Sequence, residues 1–185
     1  MNAFSNVGVF LIDTLFSLYI GLIMIRFLLA TSRANFYNPI SQFIVQVTNP
    51  ALIPLRKIIP ATGKIDSASI VLILALKLIQ LTLILLLQGH SAPFFQLLII
   101  AIFQLLETLI YIYIIALIVQ AVMSWINPGA YQTQNPLVGL LNSLTAPILR
   151  PLKQIVPNIG MVDITPLVAI LLLNVALIFL RSFHG

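Results

Sequence analysis

Four stretches of this chain, residues 7–30, 67–88, 95–126 and 166–183, are long runs of apolar side chains, and they leave room for few architectures. A helix needs about 20 mostly apolar residues to cross the hydrocarbon core of a bilayer. The third run is long enough to tilt or to project beyond the membrane. Of the 185 residues, 61% are hydrophobic and 7% are charged, against about a quarter charged in a soluble domain. Such a chain cannot keep a soluble surface free of large apolar patches. The expected fold is an all-α membrane protein with four transmembrane helices.

The connections differ in kind. Gly89-His90-Ser91-Ala92-Pro93 reads as a tight turn, because Gly and Pro end helices. The other two connections are long and basic. One carries Arg33, Arg56, Lys57 and Lys64, and the other Arg150 and Lys153. The short turn has neither Lys nor Arg, so the positive-inside rule places both long loops in the cytoplasm and both termini outside. Arg181 dissents alone. Residues 1–10 lack Lys and Arg, and Asp13 interrupts the first apolar run, so the N-terminus is expected to be retained rather than cleaved.

The two long loops repeat one another. Asn38-Pro39 recurs as Asn135-Pro136, 97 residues later. At the same offset Thr48 meets Thr145, Pro50 meets Pro147, Pro54 meets Pro151, and Arg56 meets Lys153. Pro60 meets Pro157, Gly63 meets Gly160, and Asp66 meets Asp163. Prolines, a glycine and an aspartate in one register indicate a tandem duplication. The copies are residues 1–88 and 95–185, with the turn 89–94 between them. Each copy holds two spans, so the copies enter the membrane the same way and are parallel.

Within each loop a short amphipathic helix is expected, over 39–48 and 136–145. Asn38 can cap a helix that starts at Pro39, whose missing N–H would be unpaired there anyway. Ile40, Phe43, Ile44 and Val47 then follow helical spacing, as do Leu137, Leu140, Leu141 and Leu144. Both helices suit the cytoplasmic interface, or they pack on the protein. The prolines beyond them are expected to hold the backbone extended. Arg56, Lys57, Arg150 and Lys153 are expected to reach lipid phosphates or carbonyls, with an anionic ligand as the alternative. Gly63 and Gly160 suit a backbone turn. Asp66 and Asp163, just before a span, suit helix N-caps, or else partners for a cation or the basic residues.

The double pattern P-x-L-x-P-L-[RK]-x-I-x-P-x-x-G-x-x-D, with Phe36-Tyr37-Asn38-Pro39-Ile40-Ser41-Gln42-Phe43, resembles the YggT family of small bacterial membrane proteins, related to the YlmG proteins of Gram-positive bacteria, cyanobacteria and plastids. The resemblance covers almost the whole chain. It implies a bacterial inner-membrane location, with periplasmic termini, and a link to osmotic or salt tolerance and potassium uptake. Plastid and cyanobacterial relatives are tied instead to cytochrome assembly, nucleoid distribution or division. The chain departs from the family where many members carry paired arginines, having Arg56-Lys57 and Lys153-Gln154. Thr165-Pro166 stands where members often have Ser-Pro, and the first copy has Ala68-Ser69 there.

Charges inside a span are functional candidates by default. Measured from a turn centre near residue 92, Lys77 and Glu107 lie at equal depth, and so do Gln80 and Gln104. Each pair is spaced i, i+3, which puts it on one helix face. A polar cluster of Lys77, Glu107, Gln80 and Gln104 is expected between the second and third spans. It either fixes the hairpin register or forms an ion or proton path. Asp13, Gln120 and Asn174 are further polar residues within spans, and Asp13, placed near the outer end of its span, can meet Arg181.

With no cysteine, thiolate chemistry and disulfides are excluded. No hydrolase, metalloprotease or phosphate-loop motif occurs, and His90 and His184 are isolated, so no enzyme, metal or cofactor is expected. The net charge of +5 is spread beside apolar runs rather than in a dense patch, which argues against nucleic acid. The expected partners are anionic lipids and a second copy or another membrane protein. Two functions remain: an oligomeric transport or osmotic-response protein, and a scaffold organising lipids or a partner complex at the cytoplasmic face.

Overall fold

The computed structural model describes residues 3–32, 34–59, 66–126, 135–156 and 163–183. All regular structure among them is helical: α1 (Ala3–Thr31), α2 (Pro39–Ile58), α3 (Ser67–Leu87), α4 (Phe94–Ile126), α5 (Pro136–Leu152) and α6 (Thr165–Arg181). Three are long and apolar enough to cross a membrane, namely α1, α3 and residues Phe94–Ser124 of α4. α6 is a shorter apolar helix of 17 residues, about 26 Å long at a rise of 1.5 Å per residue.

Local chemistry sets the boundaries. The Asn38 side chain accepts from Ile40 N at 2.9 Å, and the Asn135 side chain from Leu137 N at 3.0 Å, so one cap chemistry opens both α2 and α5. α3 ends in a Schellman motif. Its Gly89 sits at φ 73°, while Gly89 N bonds Leu86 O and His90 N bonds Leu85 O. A side chain at that φ would be strained, which is why glycine stands there.

The structure corrects the expectation about the prolines. Pro50 and Pro54 lie inside α2, and Pro147 and Pro151 inside α5. Each amphipathic helix therefore runs beyond its expected end at 48 or 145. An interior proline removes one i→i−4 bond and crowds the preceding turn. All four prolines face outward, four residues apart in each helix, so the freed carbonyls line one exposed side. The opposite side stays intact and packed, and packing rather than propensity holds such a helix.

The packed face of α2 is also rotated from the one expected, whereas that of α5 keeps the expected Leu140, Leu141 and Leu144. In α2 it is Ser41, Ile44, Thr48 and Leu52 that are buried, whereas Phe43 is 59% exposed. In α5 the buried residues are Val138, Leu140, Leu141, Leu144, Thr145 and Leu149. These helices carry more apolar surface than the protein covers, and periodicity alone does not separate the covered part from the rest.

The described chain packs as two compact units. The first comprises residues up to Phe27 with Ile44–Thr108, and the second Leu28–Phe43 with residues from Leu109 onward. In the first unit Ile20, Ile23 and Met24 of α1, Leu52 of α2, Ile73 of α3 and Ala101 of α4 are buried. In the second, Leu117 of α4, Leu149 of α5 and Ala169 of α6 form a core flanked by Ile148, Leu152, Ile170 and Leu173.

Candidate functional site

Three sets of polar contacts stand out against this apolar background. The first joins an amphipathic helix to a long helix through a buried threonine. In the first unit Arg26 of α1, only 6% exposed, donates from Nη1 to Thr48 Oγ1 at 2.6 Å and to Val45 O at 3.3 Å. Thr48 Oγ1 in turn donates to Ile44 O at 2.7 Å. In the second unit Thr145 Oγ1 shares its hydrogen between Gln120 Oε1 of α4 at 2.8 Å and Leu141 O at 2.9 Å. Gln120 Nε2 donates to Asn142 Oδ1 at 2.9 Å. Both threonines are fully buried, so each hydroxyl must be satisfied inside the protein.

The second set ties the C-terminal end of each amphipathic helix to the residues that open the next long helix. Arg56 pairs with Asp66, and Lys153 pairs with Asp163 at 2.9 Å. Asp66 also caps α3, accepting from Ser69 Oγ at 2.7 Å, and Asp163 accepts from Thr165 N at 2.9 Å. Burial pushes the Asp66 carboxyl up, but the hydrogen bonds from Arg56 and Ser69 and the Arg56 charge outweigh it and hold it below the usual carboxylate value. Asp163 follows the same balance: burial raises it, and bonds from Thr165 and Lys153 bring it below the usual value. Thus Asp66 both caps and pairs, uniting two readings that the sequence left as alternatives, whereas Asp163 pairs with Lys153 and accepts from the first residue of α6, whose N-cap position is Ile164.

The third set lies within the first unit, between α1 and α3. Gln80, fully buried, accepts from Lys77 Nζ at 3.0 Å. Its Nε2 donates toward Asp13 Oδ1 at 2.9 Å, Ser17 Oγ at 3.0 Å and Asp13 O at 3.2 Å. The charges of Asp13 and Glu107 both act on Lys77. Lys77, Gln80 and Glu107 thus share one neighbourhood, which is anchored on α1 by Asp13. The hydrogen bond of Gln104 is local to α4, where its main-chain carbonyl accepts from Thr108 Oγ1 at 2.8 Å, and it does not join Gln104 to Lys77 or Gln80. Asp13 is level with Gln80 rather than with the end of α3, and Arg181 bonds the Tyr111 hydroxyl and lies 5.8 Å over its ring.

The family model described as CCB3/YggT matches residues 5–87 and 99–183. The chain belongs to the CCB3/YggT family. It is 40% identical to an uncharacterized protein of Pseudomonas aeruginosa over 176 residues, covering 94% of this chain and 88% of that one. It is 34% identical to an uncharacterized protein of Vibrio alginolyticus over 187 residues, covering 100% and 97%. It is 35% identical to the uncharacterized protein YggT of Escherichia coli K12 over 171 residues, covering 92% and 87%. No solved structure gives a significant match.

Within this CCB3/YggT chain the remaining motif residues are spread out. Lys57 and Arg150 are exposed near the ends of α2 and α5. Pro60, Gly63, Pro157 and Gly160 lie outside the described residues, as do Arg33 and Lys64. In the second unit a pocket of about 520 Å³ is lined by Asn35, Tyr37, Asn38, Asn135, Pro136 and Ser143 among others. There Asn38 Nδ2 donates to Pro136 O, so one capping asparagine reaches the start of the other amphipathic helix. Arg26 is the residue that sequence reasoning passed over. Its signal was a lone arginine in an apolar run, one helical loop away from a Thr-x-Pro motif.

Proposed function

We propose that this chain is a non-enzymatic inner-membrane scaffold that organises anionic lipids, or a partner held with them, at the cytoplasmic face. On this reading α6 supplies the fourth span, the two parallel copies each carry an interfacial helix, the basic loops are cytoplasmic and the termini periplasmic. The supporting observation is that the same two fastenings occur at positions 97 residues apart. A buried threonine, Thr48 or Thr145, holds each amphipathic helix, and an Arg56–Asp66 or Lys153–Asp163 pair ties its end. So fastened, each helix displays exposed apolar and basic side chains, such as Phe43, Ile53 and Lys57 on α2. That combination suits the headgroup region, where each surface Lys or Arg gains about 1 kcal/mol from anionic lipid.

The test is lipid identification on protein extracted in native nanodiscs. Enrichment of anionic lipid is expected for the unmodified chain and its loss when Lys57, Arg150 and Lys153 are all changed to Gln. Equal lipid composition in both would sink the proposal. The second reading is ion uptake in osmotic tolerance, and the chain from buried Lys77 and Gln80 to exposed Asp13 favours it. Ion flux by purified protein in liposomes would support it, whereas absence of flux together with a co-purifying membrane complex would remove it.

A further inference from the structure

Lipid satisfies the apolar side chains that α6 exposes, but not the amide among them. α6 runs from Thr165 to Arg181, so Asn174 stands one residue from its midpoint, about 1.5 Å along the axis. Asn174 is exposed, as are Leu167, Leu171 and Ile178, each at least 60%. Hydrocarbon is as good a neighbour for those leucines and isoleucine as another helix is. The amide differs. Asn174 Nδ2 donates to Ile170 O at 2.8 Å within its own helix, which leaves Oδ1 and the second amide hydrogen without a partner among the described residues. No water reaches the middle of a span to take them.

The internal repeat shows what is unusual here. Ninety-seven residues before Asn174 stands Lys77, at the midpoint of α3, and Leu177 takes the place of Gln80. In the first unit Lys77 is buried and bonded to Gln80, and the charges of Asp13 and Glu107 act on it. In the second unit the same register carries its polar group on the outside. The duplicated helix thus has a polar position that its own unit does not cover.

Spacing and chemistry together identify the cover. Leu167, Leu171, Asn174 and Ile178 are separated by four, three and four residues. That is the a/d spacing of a heptad, which makes one continuous seam on helices that cross at a shallow, left-handed angle. Copies of one chain enter the bilayer the same way, so two α6 helices meet in parallel about a twofold along the membrane normal, and each seam residue meets itself. A charged side chain there would be repelled by its copy. An amide is its own complement: Oδ1 of each Asn174 accepts from Nδ2 of the other, and both groups left open in one chain are filled. A single Asn in an apolar seam also fixes register and oligomer state in paired helices.

We propose that a second copy of this chain covers this face, through a parallel α6–α6 seam of Leu167, Leu171, Asn174 and Ile178 with a reciprocal amide pair at Asn174. The seam rests on the reading of α6 as the fourth span and is independent of the lipid-organising role.

The chain has no cysteine, so single-cysteine variants report without background. Full-length Leu171→Cys, Leu172→Cys, Ile178→Cys and Phe179→Cys chains are oxidised in cell membranes with copper phenanthroline. All four positions are exposed on α6, so random encounter would oxidise them alike. Disulfide dimers of twice the chain mass are expected at 171 and 178, about tenfold faster than at 172 and 179. Energy transfer between amino-terminally labelled chains in vesicles gives the dissociation constant. Asn174→Val is expected to raise it about tenfold, and Asn174→Gln, which keeps donor and acceptor, to change it less than about threefold. Equal oxidation at all four positions, or no dimer at any, would overturn the proposal, and so would an Asn174→Val chain that pairs as tightly as the unmodified one. Cross-links only to a protein of another mass would overturn it too, assigning the seam to a different membrane protein. A membrane-impermeant maleimide separates the seam from the span. A Leu171→Cys chain that resists it from both sides yet forms no dimer sinks the seam alone, whereas one that reacts freely removes the span and the seam with it.

Discussion

Replacing Thr48 by Val tests whether α2 is held by a charge-assisted bond. The change keeps the shape of the side chain and removes its hydroxyl. Thr48 is fully buried and accepts from Arg26 at 2.6 Å. Without it Arg26, 6% exposed, keeps among the described residues only the longer hydrogen bond to Val45 O at 3.3 Å. A hydrogen bond to a charged group is worth about 1.5–3 kcal/mol, and leaving a charged donor unsatisfied adds to that. We expect Thr48→Val to cost about 2–3 kcal/mol. Thr145→Val breaks only neutral bonds, to Gln120 and Leu141. Neutral bonds between membrane helices average about 0.6 kcal/mol, so about 0.5–1 kcal/mol is expected there. The two variants should differ by about tenfold or more in unfolding equilibrium constant. Unfolding in mixed micelles by increasing denaturing detergent, followed by circular dichroism, measures both. An Arg26→Met, Thr48→Val cycle should show coupling above about 1 kcal/mol. Equal losses for the two threonines, or additive losses in the cycle, would refute the reasoning.

Asp66→Asn should lower thermal stability by about 1–2 kcal/mol through loss of a cap and a charged bond. The Asp66 carboxyl is held below its ordinary value, so its contribution is present above about pH 4 and is lost as pH falls through the folded value; melting from pH 6 down to 3 should fall for the unmodified chain and stay flatter for Asp66→Asn. The Lys153–Asp163 pair is more open, with side chains 55% and 38% exposed, so Lys153→Ala should cost less than about 0.5 kcal/mol and nothing in 0.5 M salt, read by melting in both conditions. Pro54→Ala should leave the fold intact and raise stability by about 1 kcal/mol, because the ring adds no buried contact and removes a helical bond; a clear loss of stability in the same unfolding assay would show that the proline is needed.

Membrane class, helical content and repeated chemistry were legible in the residue order because each rests on short-range properties. Apolar runs of span length have one stable form in lipid, and Asn-Pro opens a helix wherever it stands. Lys77 and Gln80 could be placed on one face by spacing, and Asp66 could be read as a cap from its place before an apolar run, although the same reading of Asp163 misses the N-cap position at Ile164. Everything that depended on what touches what was decided by tertiary packing. Prolines 50, 54, 147 and 151 read as breakers, yet the helices continue through them because their opposite faces are packed. The ridge that α2 buries is Ser41, Ile44, Thr48 and Leu52, including two hydroxyls that an apolar periodicity would discard. Thr48 is satisfied there from two sides, donating to Ile44 O within its own helix and accepting from Arg26 of α1. Asp13 gains its meaning in the same way. Apart from Thr14 its neighbours in sequence are apolar, and only the antiparallel placement of α1 along α3 brings its carboxylate to Gln80.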